Sequence, residues 1–117
     1  MEIWINPACS KCRAATKALD EAGIDYAVRR YLDDPPTAAE LTAVLDRLNL
    51  EPWDLVRHTE PAAKPLRDLP RDPDHRADWI DAMVTNPILI QRPILTADDN
   101  TTAIARDPQT LARFLPT

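Results

Sequence analysis

The sequence predicts an α/β domain, a mixed four-stranded sheet with helices packed on it and a helical segment inserted at its centre. Three observations carry this. A strand, a helix and a second strand follow one another within the first 31 residues, the spacing of a βαβ crossover. Helical patterns, with a loop among them and no strand, then occupy the chain over about 37–86. The remainder reads strand, turn, strand, helix. At 117 residues there is room for one domain, 1–117, with that segment as an insertion.

Glu2-Ile3-Trp4-Ile5-Asn6 reads as a short buried strand closed by Asn6-Pro7. Ser10 to Ala22 is helical in composition, and Gly23 stands where a helix terminates in the left-handed region. Ile24 to Tyr31 reads as the second strand, with Tyr26 and Val28 as its alternating apolar positions. Thr37 and Glu40 have the spacing of a capping box, and Leu41, Val44, Leu45 and Leu48 form one apolar stripe behind them. A short helix is expected at Pro52–Val56, a loop from His58 to Asp72, and a helix from Asp74 to Thr85 with Trp79, Ile80, Met83 and Val84 inward. After Pro93 the chain should pair with Thr101–Ala105 through a turn at Asp98-Asp99-Asn100. Asp107-Pro108 is an N-cap followed by proline at N1, and Leu111, Phe114 and Leu115 face the core.

Composition narrows the function classes. A net charge of −5 argues against non-specific binding to nucleic acid or to an anionic membrane surface. The longest uncharged run, Ala82 to Gln91, is about half the ~20 apolar residues a spanning helix needs. Met1-Glu2-Ile3-Trp4 has neither a basic nor an apolar leader region, so a cytoplasmic address is expected. One glycine against twelve prolines means that turns are made by Pro, Asp and Asn.

The chemistry starts at Cys9-Ser10-Lys11-Cys12, which holds the only two cysteines. Both fall where the first helix begins, three residues apart and so neighbours on one face. Open N–H groups and the helix dipole favour an anion at Cys9, and Lys11 and Arg13 add cationic charge. Each effect lowers a thiol pKa, and the thiolate is the nucleophile. Cys9 should be the reactive sulfur and Cys12, one turn in, the shielded one. A zinc site would need two further ligands, and only His58 and His75 are on offer, at a spacing that fits no usual finger pattern. His58 reads as a loop residue, His75 as a first-turn helix residue, and Asp33-Asp34 and Asp98-Asp99 as turn carboxylates. A Cys-x-x-Cys at a strand-to-helix turn in a βαβ unit points instead to redox chemistry. Arg92 is also unusual: it interrupts an apolar run, where a guanidinium needs an anion or an acidic partner.

Three stretches, Asn6-Pro7-Ala8-Cys9, Tyr31-Leu32-Asp33-Asp34-Pro35-Pro36-Thr37 and Pro87-Ile88-Leu89-Ile90-Gln91-Arg92-Pro93-Ile94, resemble in order and spacing the glutaredoxin-coupled, thioredoxin-like arsenate reductases. The likeness runs from Glu2 to Pro116, and the two longer stretches are specific in combination. The resemblance implies a thioredoxin-like sheet with an inserted helical segment. It implies thiol-dependent reduction of arsenate to arsenite through a Cys9–arsenic adduct. The catalytic cysteine follows Asn-Pro-Ala, which is Cys9; three oxyanion-binding arginines fall on Arg57, Arg92 and Arg106, and Pro93 is implied to be cis. No bound cofactor and no metal are implied. The reductant would be an external low-molecular-weight thiol with a glutaredoxin-, mycoredoxin- or thioredoxin-like protein partner.

Two positions depart from the pattern. Reductases of this type often carry a histidine just ahead of the Asn, where this chain has Ile5. Many also lack a second cysteine at the Cys12 position, whereas redox-sensing relatives that bind RNA polymerase carry Cys-x-x-Cys. Cys12 therefore stands as a second candidate catalytic thiol, with two alternative functions open: a redox-sensing regulator and a general thiol–disulfide oxidoreductase.

Overall fold

A computed structural model describes residues 1–116. The chain forms two compact units, one made of Met1–Asp34 and the segment from Arg92 onward, the other of Pro35–Gln91.

The first unit holds the sheet. Strands β1 (Glu2–Ile5), β2 (Ala27–Arg30), β3 (Ile94–Thr96) and β4 (Thr102–Ile104) lie in the order β2-β1-β3-β4. The β1–β2 pair is parallel, as the crossover through helix α1 (Ser10–Glu21) requires. The β1–β3 and β3–β4 pairs are antiparallel. Ile3, Leu95 and Ala103 sit side by side across three strands and pack with Ala15 and Leu19 of α1 and with Phe114. The mixed four-stranded sheet is thus the expected one.

Local signals behave as their chemistry dictates. Gly23 has φ +70° beyond the end of α1, and Ile24 N–H closes the turn on Leu19 O at 3.0 Å. Asn100, at φ +70°, turns the β3–β4 hairpin that no glycine serves. Asp107 caps α5 (Pro108–Ala112) by accepting from Thr110 N–H at 2.7 Å. The Arg92–Pro93 peptide is cis, as the family resemblance implies.

The second strand is shorter than its apolar pattern. β2 begins only at Ala27, which pairs with Glu2 and donates to Met1 O; residues 24–26 have no strand beside them to pair with. Its edge position also leaves Val28 48% exposed, although Ile24 and Tyr26 ahead of it pack against the core.

The second unit is helical. In α2 (Ala38–Leu48) the Thr37–Glu40 capping box forms in both directions, and Leu41, Val44 and Leu45 are buried while Leu48 is half-buried. Helix α3 (Pro52–Leu55) is one turn long, and Val56 beyond it bridges antiparallel to Ile90. The stretch read as loop contains a 3₁₀ helix, Pro61–Leu66, because Pro61 supplies a helical φ and Ala63 a small apolar side chain to bury. The helix expected from Asp74 is divided: a 3₁₀ turn at Pro73–His75, capped by Asp72, precedes α4 (Arg76–Thr85). Trp79, Ile80 and Met83 are buried and Val84 is half-buried. Among the described residues no helix is long and apolar enough to cross a membrane.

Candidate functional site

The site is built at the C-terminal end of β1. Asn6-Pro7-Ala8-Cys9 makes a tight turn in which Cys9 N–H donates to Asn6 O at 2.9 Å, with proline at the position that favours its φ. Buried Asn6 secures the turn from inside, its Oδ1 accepting from Ala8 N–H at 3.0 Å. Cys9 O then accepts from Arg13 N–H at 3.1 Å, which makes Cys9 the N-cap of α1.

The open N–H groups of the first turn lie at the Cys9 side chain and favour its ionised form. Partial burial pushes the Cys9 pKa up. The backbone amide and thiol of Cys12, the Lys11 amide and the Arg92 guanidinium outweigh it and bring the pKa down to about 7. Cys12 is the complement, 1% exposed. Burial and the neighbouring Cys9 sulfur raise it to about 12, against the Asn6 amide and Arg92, which pull it down. Cys12 therefore keeps its proton and donates it toward the Cys9 thiolate. Cys12 is shielded, as its place one turn into the helix predicts.

The source of the stabilisation differs from the sequence reading. Lys11 acts through its backbone N–H, and the Arg13 guanidinium donates instead to Pro7 O at 3.1 Å. The cation that reaches the sulfur is Arg92, from the loop ahead of β3.

Arg92 is 5% exposed and faces Cys9, Cys12 and Tyr31. Arg106, just past β4, donates from Nη1 to Arg92 O at 2.8 Å. It also forms, with Lys11, Ala14, Asp107 and Leu111, part of the wall of a cleft of about 120 Å³. The first unit thus gathers Cys9, Cys12, Arg92 and Arg106. Arg57 belongs to the second unit, following α3, where its Nη1 lies 3.7 Å from Glu60 Oε1 and its backbone N–H donates to Leu89 O. His58 Nε2 lies 2.8 Å from Trp53 O, and His75 Nδ1 pairs with Asp72 at 2.5 Å. Both imidazoles are thus engaged close to their own positions in the chain.

Sequence reasoning missed one member. Tyr31, read as the end of the second strand and as part of a motif but not as a site residue, is fully buried and in contact with the site; burial raises its phenol pKa to about 12, with Arg92 acting against that. The signal was an aromatic residue at the end of the second strand, directly before the exposed run Leu32-Asp33-Asp34-Pro35.

A thioredoxin-like sheet with an activated cysteine at the N-cap of its first helix defines a thiol-redox class of protein. Within that class the chain belongs to the ArsC family, whose profile matches residues 4–114. It is 56% identical over 91% of each chain to an uncharacterized protein from the glnII region of Streptomyces viridochromogenes. It is 33% identical to an arsenate reductase of Rhizobium meliloti, over 97% of this chain and 80% of that one. Among solved structures, the arsenate reductase from Vibrio cholerae superposes with a TM-score of 0.85 at 31% identity, covering 98% of each chain.

Proposed function

We propose that this protein reduces arsenate to arsenite through a covalent Cys9–arsenic adduct. The observation that carries the reading is the contact of Arg92 with a Cys9 thiol whose pKa lies at about 7: a nucleophile ready near neutral pH beside a fixed guanidinium. Arsenate is tetrahedral and anionic, and suits both a guanidinium fork and a helix N-terminus. Relatives named arsenate reductase along most of this chain support the choice of oxyanion.

In the proposed sequence the Cys9 thiolate attacks arsenic and expels hydroxide or water. Arg92 and Arg106 hold the oxyanion and offset the charge that develops on it; the family resemblance gives Arg57 of the second unit the same role. An external thiol then attacks the Cys9 sulfur. The S–As bond breaks, its electron pair reduces As(V) to As(III), and arsenite leaves as the mixed disulfide forms. A glutaredoxin-, mycoredoxin- or thioredoxin-like partner restores Cys9. No bound cofactor or metal is needed for these steps.

The test is arsenate-dependent NADPH oxidation with low-molecular-weight thiols and redoxin coupling systems supplied in turn. Turnover that requires arsenate and Cys9 supports the reading; none with any reductant removes it. The contact between the two sulfurs also suits a general thiol–disulfide oxidoreductase or a redox-sensing regulator. Arsenate-independent turnover of model disulfides would select the first. Oxidation-dependent binding to the RNA polymerase alpha subunit would select the second.

A further inference from the structure

Sheet order and strand direction bring Tyr31 and Arg92 to the same end of the sheet, on either side of β1. β1 pairs with β2 so that Ile5 lies beside Arg30, and with β3 so that Trp4 lies beside Ile94. Tyr31 directly follows β2 and Arg92 stands two residues ahead of β3, so the two flank the end of β1, where Asn6 begins the turn of the site. With β1 between them and ~4.8 Å per strand, the β2 and β3 backbones are about 10 Å apart. A tyrosine and an arginine side chain span that gap over the short Asn6. Tyr31 is 0% exposed and Arg92 5%, so they meet out of water, where the Arg92 guanidinium donates to the phenol oxygen.

We propose that Tyr31 is the positioning residue for Arg92: its phenol oxygen accepts from the guanidinium and holds the remaining N–H edge against Cys9 Sγ. The inference rests on the reading of Cys9 as nucleophile and Arg92 as the cation that serves it. A five-donor planar group on a flexible stem needs such an anchor to face one atom consistently. Arg106 holds the backbone of Arg92 through its carbonyl, and Tyr31 holds the other end of the residue. The phenol suits the task because it stays neutral: a charged acceptor there would satisfy the guanidinium and weaken its pull on the thiolate or on an incoming oxyanion.

Iodoacetamide alkylation of Cys9 as a function of pH tests this without arsenate, so its outcome is separate from that of the reductase assay. Tyr31→Phe keeps the ring and removes the oxygen. With unfolding temperature as a control, the alkylation midpoint should rise above the wild-type value, and each unit of rise slows the reaction at pH 6 about tenfold. In an Arg92→Met background the same change should move the midpoint far less. An unchanged midpoint in folded Tyr31→Phe, or an equal shift in both backgrounds, would overturn the proposal. Should Tyr31→Phe not fold, side-chain NMR of the wild type decides: separate, slowly rotating Arg92 Nη signals are expected, and a single averaged signal would overturn it.

Discussion

Arg106 is tied to Arg92, its Nη1 donating to the Arg92 backbone carbonyl at 2.8 Å. One guanidinium therefore fixes the chain that carries the other, and Arg106 has only its remaining N–H groups for an anion. The two residues should fail differently. Arg92→Ala is expected to lower kcat/KM for arsenate by roughly 10²–10³, the size of losing one fixed donor at a developing charge. Arg92→Lys should fold normally and lose less, since it keeps the charge without the planar fork. Arg106→Lys should raise KM more than it lowers kcat, because it loosens the loop without removing a group from the sulfur. Wild-type kinetics in both Arg92 variants would take that residue out of the site.

Cys9 is expected to be the indispensable thiol. Cys9→Ser should fold normally and lose arsenate turnover, and appreciable activity in a folded variant would remove the mechanism. In the wild type, alkylation of Cys9 should be half-maximal near pH 7 and slow about tenfold for each unit below it. A midpoint near 9, the ordinary thiol value, would mean that the first-turn amides and Arg92 do not act on the sulfur.

Stability should depend on pH with two opposite slopes. Cys9 has a lowered folded pKa, so between about 7 and 9 the unfolded chain holds more protons and stability rises with pH. That contribution is complete above 9 and is lost as pH falls through 7. Cys12 and Tyr31 have folded values raised to about 12, so above 9 for the thiol, and above 10 for the phenol, the unfolded chain sheds protons that the native state retains. Stability then falls. Urea midpoints should peak near pH 9, Cys9→Ser should flatten the rising limb, and Cys12→Ser should flatten the falling one. A wild-type profile flat from 7 to 11 would contradict both assignments.

What was legible in the sequence were features whose cause is local. Thr37 and Glu40 needed only their spacing, Gly23 and Asp107-Pro108 only the turn and cap they make, and Cys9 only its place after a strand and before a helix. What was not legible depends on sheet order and register. Val28 alternates like a core residue but lies on an edge strand, which shows only once β2 is placed outside β1. Tyr31 joins the site because β2 and β3 both flank the end of β1 at Asn6, 25 residues before it and 86 before Arg92. Lys11 and Arg13 looked like the electrostatic partners because they are near in sequence, yet the cation at the sulfur arrives from residue 92.

Cys12 sets the last question, which thiol resolves the adduct. A resolving thiol must reach the thiolate form, and Cys12 is buried and held protonated up to about pH 12. At neutral pH it is a donor to Cys9 and a poor attacker, so an external thiol should resolve the adduct. Arsenic on the Cys9 sulfur would remove the negative charge beside Cys12 and ease its ionisation, but burial, the larger cause, would remain. Cys12→Ser should therefore keep most activity with the competent external thiol, since serine retains an O–H donor to Cys9. Cys12→Ala should raise the Cys9 alkylation midpoint, because that donor is gone. Without a redoxin partner, a mixed disulfide on Cys9 should accumulate in single-turnover mixtures, seen by mass spectrometry as one added thiol. A dominant Cys9–Cys12 disulfide on the turnover timescale, together with an inactive Cys12→Ser, would reverse the assignment and make Cys12 the second catalytic thiol.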